Sequence, residues 1–325
     1  MLKINEQKFS EMDELSLQKV PFFFVIDFLM ENVLIFSQED LEAQKILVDF
    51  PNFKNIQPFT FETKEVTWKS FPQSKEDYQK GFEIVQNHLK LGDSYLINYT
   101  CETPIETNLS LEEIFYQSEA KYKVLLPENF TFFSPETFVE IKNQEIFTHP
   151  MKGTIEASVP NAIDELKNSV KEKAEHYTVV DLLRNDLSMV ADWVQLDEFQ
   201  RIDFLKTRNK NLYAMSSEIS GKVKPEFQNK IGSLMKTLLP AGSILGAPKP
   251  KTLEIILEAE TYERGFYTGV CGYFDGENLD SCVMIRFIQQ NGENLTFRSG
   301  GGITHLSKLA DEYQEMKNKI YVPIH

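Results

Sequence analysis

The sequence predicts a mixed α+β fold. Apolar, strand-like runs are spread along the whole chain, capped amphipathic helices fall between them, and no regular strand–helix–strand rhythm orders the two. The first run is PFFFVIDFLMENVLIF (21–36), which is interrupted by Asp27, Glu31 and Asn32 and too short to span a bilayer. It reads as two buried strands with a turn at Glu31-Asn32. SKEDYQKGFEIVQNHLKLG (74–92) is a helix: Ser74 and Asp77 cap its start, Tyr78, Phe82, Val85 and Leu89 form one stripe, and Gly92 ends it. SYLINYT alternates as a strand does, and Ser110 with Glu113 opens a short helix by the same capping rule.

Further on, VKEKAEHYTVVDLLRNDL (170–187) predicts a helix with Val170, Ala174, Tyr177 and Leu183 facing inward. LPAGSILGAP is a tight Gly/Pro loop before a helix over 249–262. GVCGYF and SCVMIRFIQ read as buried strands joined by DGEN (275–278), and NLTFRSGGGI as a strand running into three glycines. The last helix, KLADEYQEMKNKI, carries Leu309, Tyr313, Met316 and Ile320 at helical spacing. No linker-like segment divides the sequence. Residues 1–72 are expected to supply N-terminal strands integrated into one domain, whose catalytic region is 73–325.

Composition excludes some functions. The 325 residues are 42% hydrophobic, which provides a sizeable core, and 34 Lys plus Arg against 49 Asp plus Glu leave a net charge of −15. That field repels nucleic acid and anionic membranes, so neither is an expected partner. Cys101, Cys271 and Cys282 are odd in number and lack CxxC spacing, which fits a reducing, cytoplasmic setting rather than a zinc site. The polar N-terminus does not resemble a signal peptide.

Several residues could carry chemistry, each with a plainer alternative. Lys152, in HPMKGT, is either a solvated loop lysine or a nucleophile; at pH 7 fewer than roughly one ordinary lysine amine in a thousand is neutral, so a nucleophile needs activation. Glu312 and Glu315 are i,i+3 neighbours off the apolar stripe, with Lys319 one turn beyond. They form either a solvated face or, if Glu175 converges on them, a cation site. Like charges at ~4 Å repel by roughly 4 kcal/mol at an effective dielectric of 20, and an all-oxygen set suits Mg²⁺. SGGGI is either a turn or an anion cradle. Arg286, read inside an apolar strand, requires an anion, from a salt bridge or from a ligand.

Taken together, SPETF (134–138), PMKGT (150–154), EHYTVVDLLRNDLS (175–188), LPAGSILGAPKPKTLEII (239–256), RGFYTGVCGYF (264–274), DSCVMIRF (280–287), SGGGI (299–303) and DEYQEMKNK (311–319) resemble the chorismate-utilising enzymes over about residues 75–320. The resemblance implies a single large α+β domain of two packed, mostly antiparallel sheets with helices outside, chorismate as substrate and Mg²⁺ as cofactor. It implies Glu175, Glu312 and Glu315 as metal ligands, and Tyr267, Arg286, Gly301, Gly302 and Lys319 around substrate carboxylate. Gly153, Thr154, Tyr213 and Lys249 join them as substrate contacts, and Glu136 matches the acid that protonates the departing 4-hydroxyl. Lysine at 152 is similar to aminodeoxychorismate synthase component I, in which the amine attacks ring carbon 2, and ammonia then adds at carbon 4 and expels the amine from carbon 2. Ammonia is expected from a glutaminase subunit. Anthranilate synthase component I and a non-catalytic binding subunit remain alternatives. Leu96, Tyr213, Leu245, Phe287 and Gly301 depart from the family pattern.

Overall fold

A computed structural model describes residues 3–60, 65–205 and 211–322, leaving out the side chains of Lys152, Thr154, Val170, Lys171, Leu205 and Leu212. Two sheets dominate it, and every described pairing within them is antiparallel. The first sheet runs, in spatial order, Met151–Glu156, Leu212–Val223, Glu145–Thr148, Thr137–Lys142, Leu279–Val283, Val270–Phe274, Phe22–Ile26 and Val33–Phe36, with Ala191–Leu205 also paired to Leu212–Val223. The second runs Gly246–Ala247, Leu96–Thr107, Asn294–Ile303, Phe287–Asn291, Phe130–Ser134, Tyr122–Leu126 and Leu47–Asp49, with Trp68–Ser70 beside Leu96–Thr107.

Alternation along Phe22–Ile26 explains why the whole strand is apolar. Phe23 and Val25 pack with Tyr122, Val124, Phe130 and Phe132 of the second sheet, while Phe22, Phe24 and Ile26 face the larger core shared with the helices. The strand is therefore buried on both faces, although its pairing is antiparallel. All five of its residues are buried.

The helices form where their caps predict. Ser74 accepts the Asp77 N–H, Lys75–Leu91 follows, and Gly92 closes the helix in the left-handed conformation at φ 82°. Ser110 and Glu113 make a reciprocal capping box ahead of Leu111–Gln117. Glu6–Leu17, absent from the sequence reading, packs against Ile231–Leu238 through Gly232. A Cβ there would lie 1.9 Å from the Phe9 carbonyl oxygen. Gly232→Ala is accordingly expected to destabilise the fold by about 1–3 kcal/mol in urea unfolding, despite alanine's better helix propensity.

Two expectations are corrected. In the Val170–Val190 helix Ala174 and Tyr177 are exposed; the inner face instead carries His176, Val179, Val180, Leu183, Asp186 and Leu187. Two polar residues on the buried stripe hid its phase from an apolar count. SCVMIRFIQ is not one strand: Leu279–Val283 belongs to the first sheet and Phe287–Asn291 to the second, and the chain crosses between them at Arg286, whose φ is 55°. Ala191–Leu205 and Leu212–Val223, which the sequence reading left unassigned, pair as two long, bulged antiparallel strands.

Candidate active site

The glycine strand, Asn294–Ile303, supplies one wall. Gly300, Gly301 and Gly302 lie within it, opposite Thr100, Tyr99 and Asn98, so the three glycines are strand and not turn. A Cβ at Gly300 would stand 2.3 Å from the Tyr99 carbonyl oxygen, which is why the backbone there tolerates only glycine. The last helix, Leu309–Asn318, lies along this strand. From a Cβ at Gly301, Glu315 Oε1 would be 3.3 Å away, Glu312 Oε2 3.6 Å and Lys319 Nζ 3.6 Å. Two carboxylates and an ammonium thus converge on a position bare of side chain. Lys319 Nζ is 2.7 Å from Glu315 and donates to the Gly300 carbonyl at 2.8 Å, so an ammonium already stands where positive charge is required. Glu312 is only 5% exposed, so of its two readings the solvated face is not the one found.

Tyr267 and Arg286 form a second group, where the chain passes between the sheets. Tyr267 is buried; burial pushes its hydroxyl well above the usual phenol range, against the pull of the Arg264 and Arg286 charges. Arg286 is half-buried, its guanidinium lying 5.7 Å from the Tyr321 ring centre. Among the described residues it has no carboxylate within ion-pair distance. Of the two anions considered for Arg286, a salt bridge is therefore not the one found among the described residues.

Glu136 belongs to a third group. Ser243, on the short Gly242–Leu245 helix, donates to Glu136 Oε1 at 2.6 Å, and Ser134 Oγ receives the Glu136 N–H at 3.1 Å. Glu136 and Ser243 line a cavity of about 30 Å³ with Thr148, His149, Pro150 and Met151. That volume holds about two waters. Beyond Met151 the pairing with Leu212–Val223 slips between Met151 and Thr154, and Gly153 takes φ 83°. Lys152 and Gly153 therefore form a bulge beside this cavity. The side chains of Lys152 and Thr154 lie outside the described part of the structure.

The long helix that carries Glu175 is fixed by its neighbour. His176 is fully buried, with Nε2 2.7 Å from the Ser217 hydroxyl, and burial pushes its pKa down to about 4. Its ring is neutral at pH 7 and pins Val170–Val190 to the sheet that holds Met151–Glu156. Glu175 is partly buried. Among the described residues no three His, Cys, Asp or Glu side chains are close enough to hold a metal ion, so Glu175 does not complete a cluster with Glu312 and Glu315. The donor chemistry itself, carboxylates and a strand carbonyl, fits a hard cation.

Two expected contacts have partners within the fold. Lys249 is bound to Asp186 at 2.9 Å and to the Leu238 carbonyl at 2.7 Å, a clamp between two helices. Tyr213 lies opposite Ile155 and packs on Phe204, with ring centres 5.4 Å apart. Sequence reasoning missed Ser243 and His149. Both lay in segments already singled out, but a lone hydroxyl or imidazole carries no spacing signal.

A family model described as chorismate binding enzyme matches residues 11–325. The chain belongs to the chorismate-binding enzyme family. It is 49% identical over 309 residues to an uncharacterised PabA-like protein of Haemophilus influenzae, covering 94% of this chain and 93% of that one. Aminodeoxychorismate synthase component 1 of Escherichia coli is 30% identical, over 91% of this chain and 66% of its own. Anthranilate synthase component 1 of Bacillus subtilis is 29% identical, over 89% and 59%. The menaquinone-specific isochorismate synthase structure from Escherichia coli superposes with a TM-score of 0.74 at 16% identity, covering 97% of this chain and 80% of that one. This last likeness concerns the fold, and it agrees with the two-sheet architecture. No helix of the described residues is long and apolar enough to cross a membrane.

Proposed function

We propose that this member of the family is an aminodeoxychorismate synthase component I, which converts chorismate and ammonia to 4-amino-4-deoxychorismate. The observation that carries the reading is the bulge at Lys152–Gly153, next to the cavity that Glu136 lines. A bulge re-aims a strand's side chains and is common beside active sites. In the first step the Lys152 amine bonds to ring carbon 2, the double bonds shift, and the 4-hydroxyl leaves as water with a proton from Glu136. In the second, ammonia bonds to carbon 4, the double bonds shift back, and the lysine amine departs. Two displacements through a covalent intermediate replace one difficult loss of hydroxide. Tyr267, Arg286 and the amides at Gly301 and Gly302 would hold carboxylate. Glu312 and Glu315, which converge at Gly301, are the residues that would hold Mg²⁺, whose charge would offset the substrate's in an acidic chain. Ammonia would come from a glutaminase subunit.

The test is product analysis with chorismate, Mg²⁺ and an ammonium salt. The expected product is 4-amino-4-deoxychorismate. Fluorescent anthranilate formed without an added lyase would move the protein to the anthranilate branch, and no turnover even with a glutaminase would make it a binding subunit. Lys152→Ala is expected to remove the chorismate adduct seen by mass spectrometry of the intact protein.

A further inference from the structure

Beneath the glycine strand lies a buried ion pair that no step above uses. Glu260 and Arg264 approach to 2.6 Å, with side chains 3% and 2% exposed. The donors of Arg264 reach four separate places. Nε and one terminal nitrogen bind Glu260 at 2.8 and 2.6 Å, and that nitrogen also donates to the Asn98 carbonyl, at 2.6 Å, opposite Gly302. The other terminal nitrogen donates at 3.2 Å both to the Ile244 carbonyl, one residue past Ser243, and to the Thr268 hydroxyl. Glu260 itself accepts the Thr100 N–H and hydroxyl, both at 2.8 Å.

Thr268 is the unusual member. It is buried, β-branched and left-handed, with φ 61°, a combination that needs support from its surroundings. Its hydroxyl accepts from Arg264 and donates to the Tyr267 carbonyl at 2.6 Å, while its N–H is taken by the Met284 carbonyl at 2.8 Å. Tyr267 precedes it, and Met284 stands two residues before Arg286, itself left-handed at φ 55°. One strained position in the turn that presents Tyr267 is therefore tied to the crossover that presents Arg286.

We propose that Thr268, held by the Arg264–Glu260 pair, is a positioning residue that sets Tyr267 against Arg286 to receive a carboxylate of the substrate. The inference rests on the carboxylate-binding reading of those two residues. A hydroxyl that only stabilised the fold would leave the balance of KM and kcat alone; one that aims a binding group changes KM.

Thr268→Val keeps the shape and branching and removes the hydroxyl, whereas Thr268→Ser keeps the hydroxyl. The valine variant is expected to raise KM for chorismate about tenfold with kcat within about twofold, as loss of a hydrogen bond to a charged group predicts, and the serine variant to match the parent within about twofold. Should valine prevent folding, Thr268→Gly accepts φ 61° without strain and is expected to show the same rise in KM. Direct titration with chorismate gives the same comparison as a Kd. An unchanged KM in the valine or glycine variant, or a fall in kcat at constant KM, overturns the proposal. Arg286→Ala separates the two levels: if it too leaves KM unchanged, the carboxylate reading fails, and if it raises KM while the Thr268 variants do not, only the positioning role fails.

Discussion

Glu260→Ala is expected to destabilise the protein by about 3–5 kcal/mol, the largest stability effect of any single substitution considered. Arg264 cannot escape the loss of its partner. A buried lysine would give up its proton, but a guanidinium stays charged throughout the accessible pH range. With the carboxylate gone, a cation whose side chain is 2% exposed keeps the Asn98 and Ile244 carbonyls, the Thr268 hydroxyl and the face of the Phe28 ring, and no bonded carboxylate. The Thr100 N–H and hydroxyl lose their acceptor as well. Glu260→Gln keeps an oxygen for Thr100 and should fall between the parent and the alanine variant. Replacing both members, Glu260→Met with Arg264→Leu, is expected to recover most of the loss, because no uncompensated charge is then buried. Urea unfolding of the four proteins checks the series. A single alanine variant within about 1 kcal/mol of the parent would show that solvent reaches Arg264.

The same pair shows where a sequence stops being informative. Glu260 and Arg264 are four apart, acid before base, the spacing of an ordinary surface pair on a helix. Burial alone sets them apart, and burial here comes from strands distant in the sequence. The helix at 74–92 was legible because both its ends are written locally, in Ser74 and Gly92, and its stripe is apolar. The Val170–Val190 stripe was misread because His176 and Asp186 face inward, one bonded to Ser217 through Nε2 and the other paired with Lys249 through Oδ1. Lys249 likewise looked available to a substrate until Asp186 stood beside it. SCVMIRFIQ carries no breaker residue, so its division between two sheets depends on a left-handed arginine that no propensity foresees. The acidic convergence at Gly301 was visible as i,i+3 and i,i+4 spacing on one helix; that Glu312 is buried required the glycine strand against it.

Glu136→Gln is expected to lower kcat by about 10²–10⁴ with little change in KM for chorismate. Hydroxide is a poor leaving group, so the carbon–oxygen bond at ring carbon 4 breaks readily only if a proton arrives as it opens. Glutamine has the shape of glutamate, and its side-chain oxygen can accept the Ser243 hydrogen bond that Glu136 Oε1 accepts at 2.6 Å. The local geometry should therefore survive, together with the cavity shared with Thr148, His149 and Met151. What glutamine lacks is a transferable proton. An interaction made only as the bond breaks lowers kcat and kcat/KM together, and a mere loss of packing would instead appear in stability and KM. Steady-state rates at saturating ammonium, with chorismate varied, read out both parameters. A fall in kcat of less than about tenfold would take the proton-donor role away from Glu136.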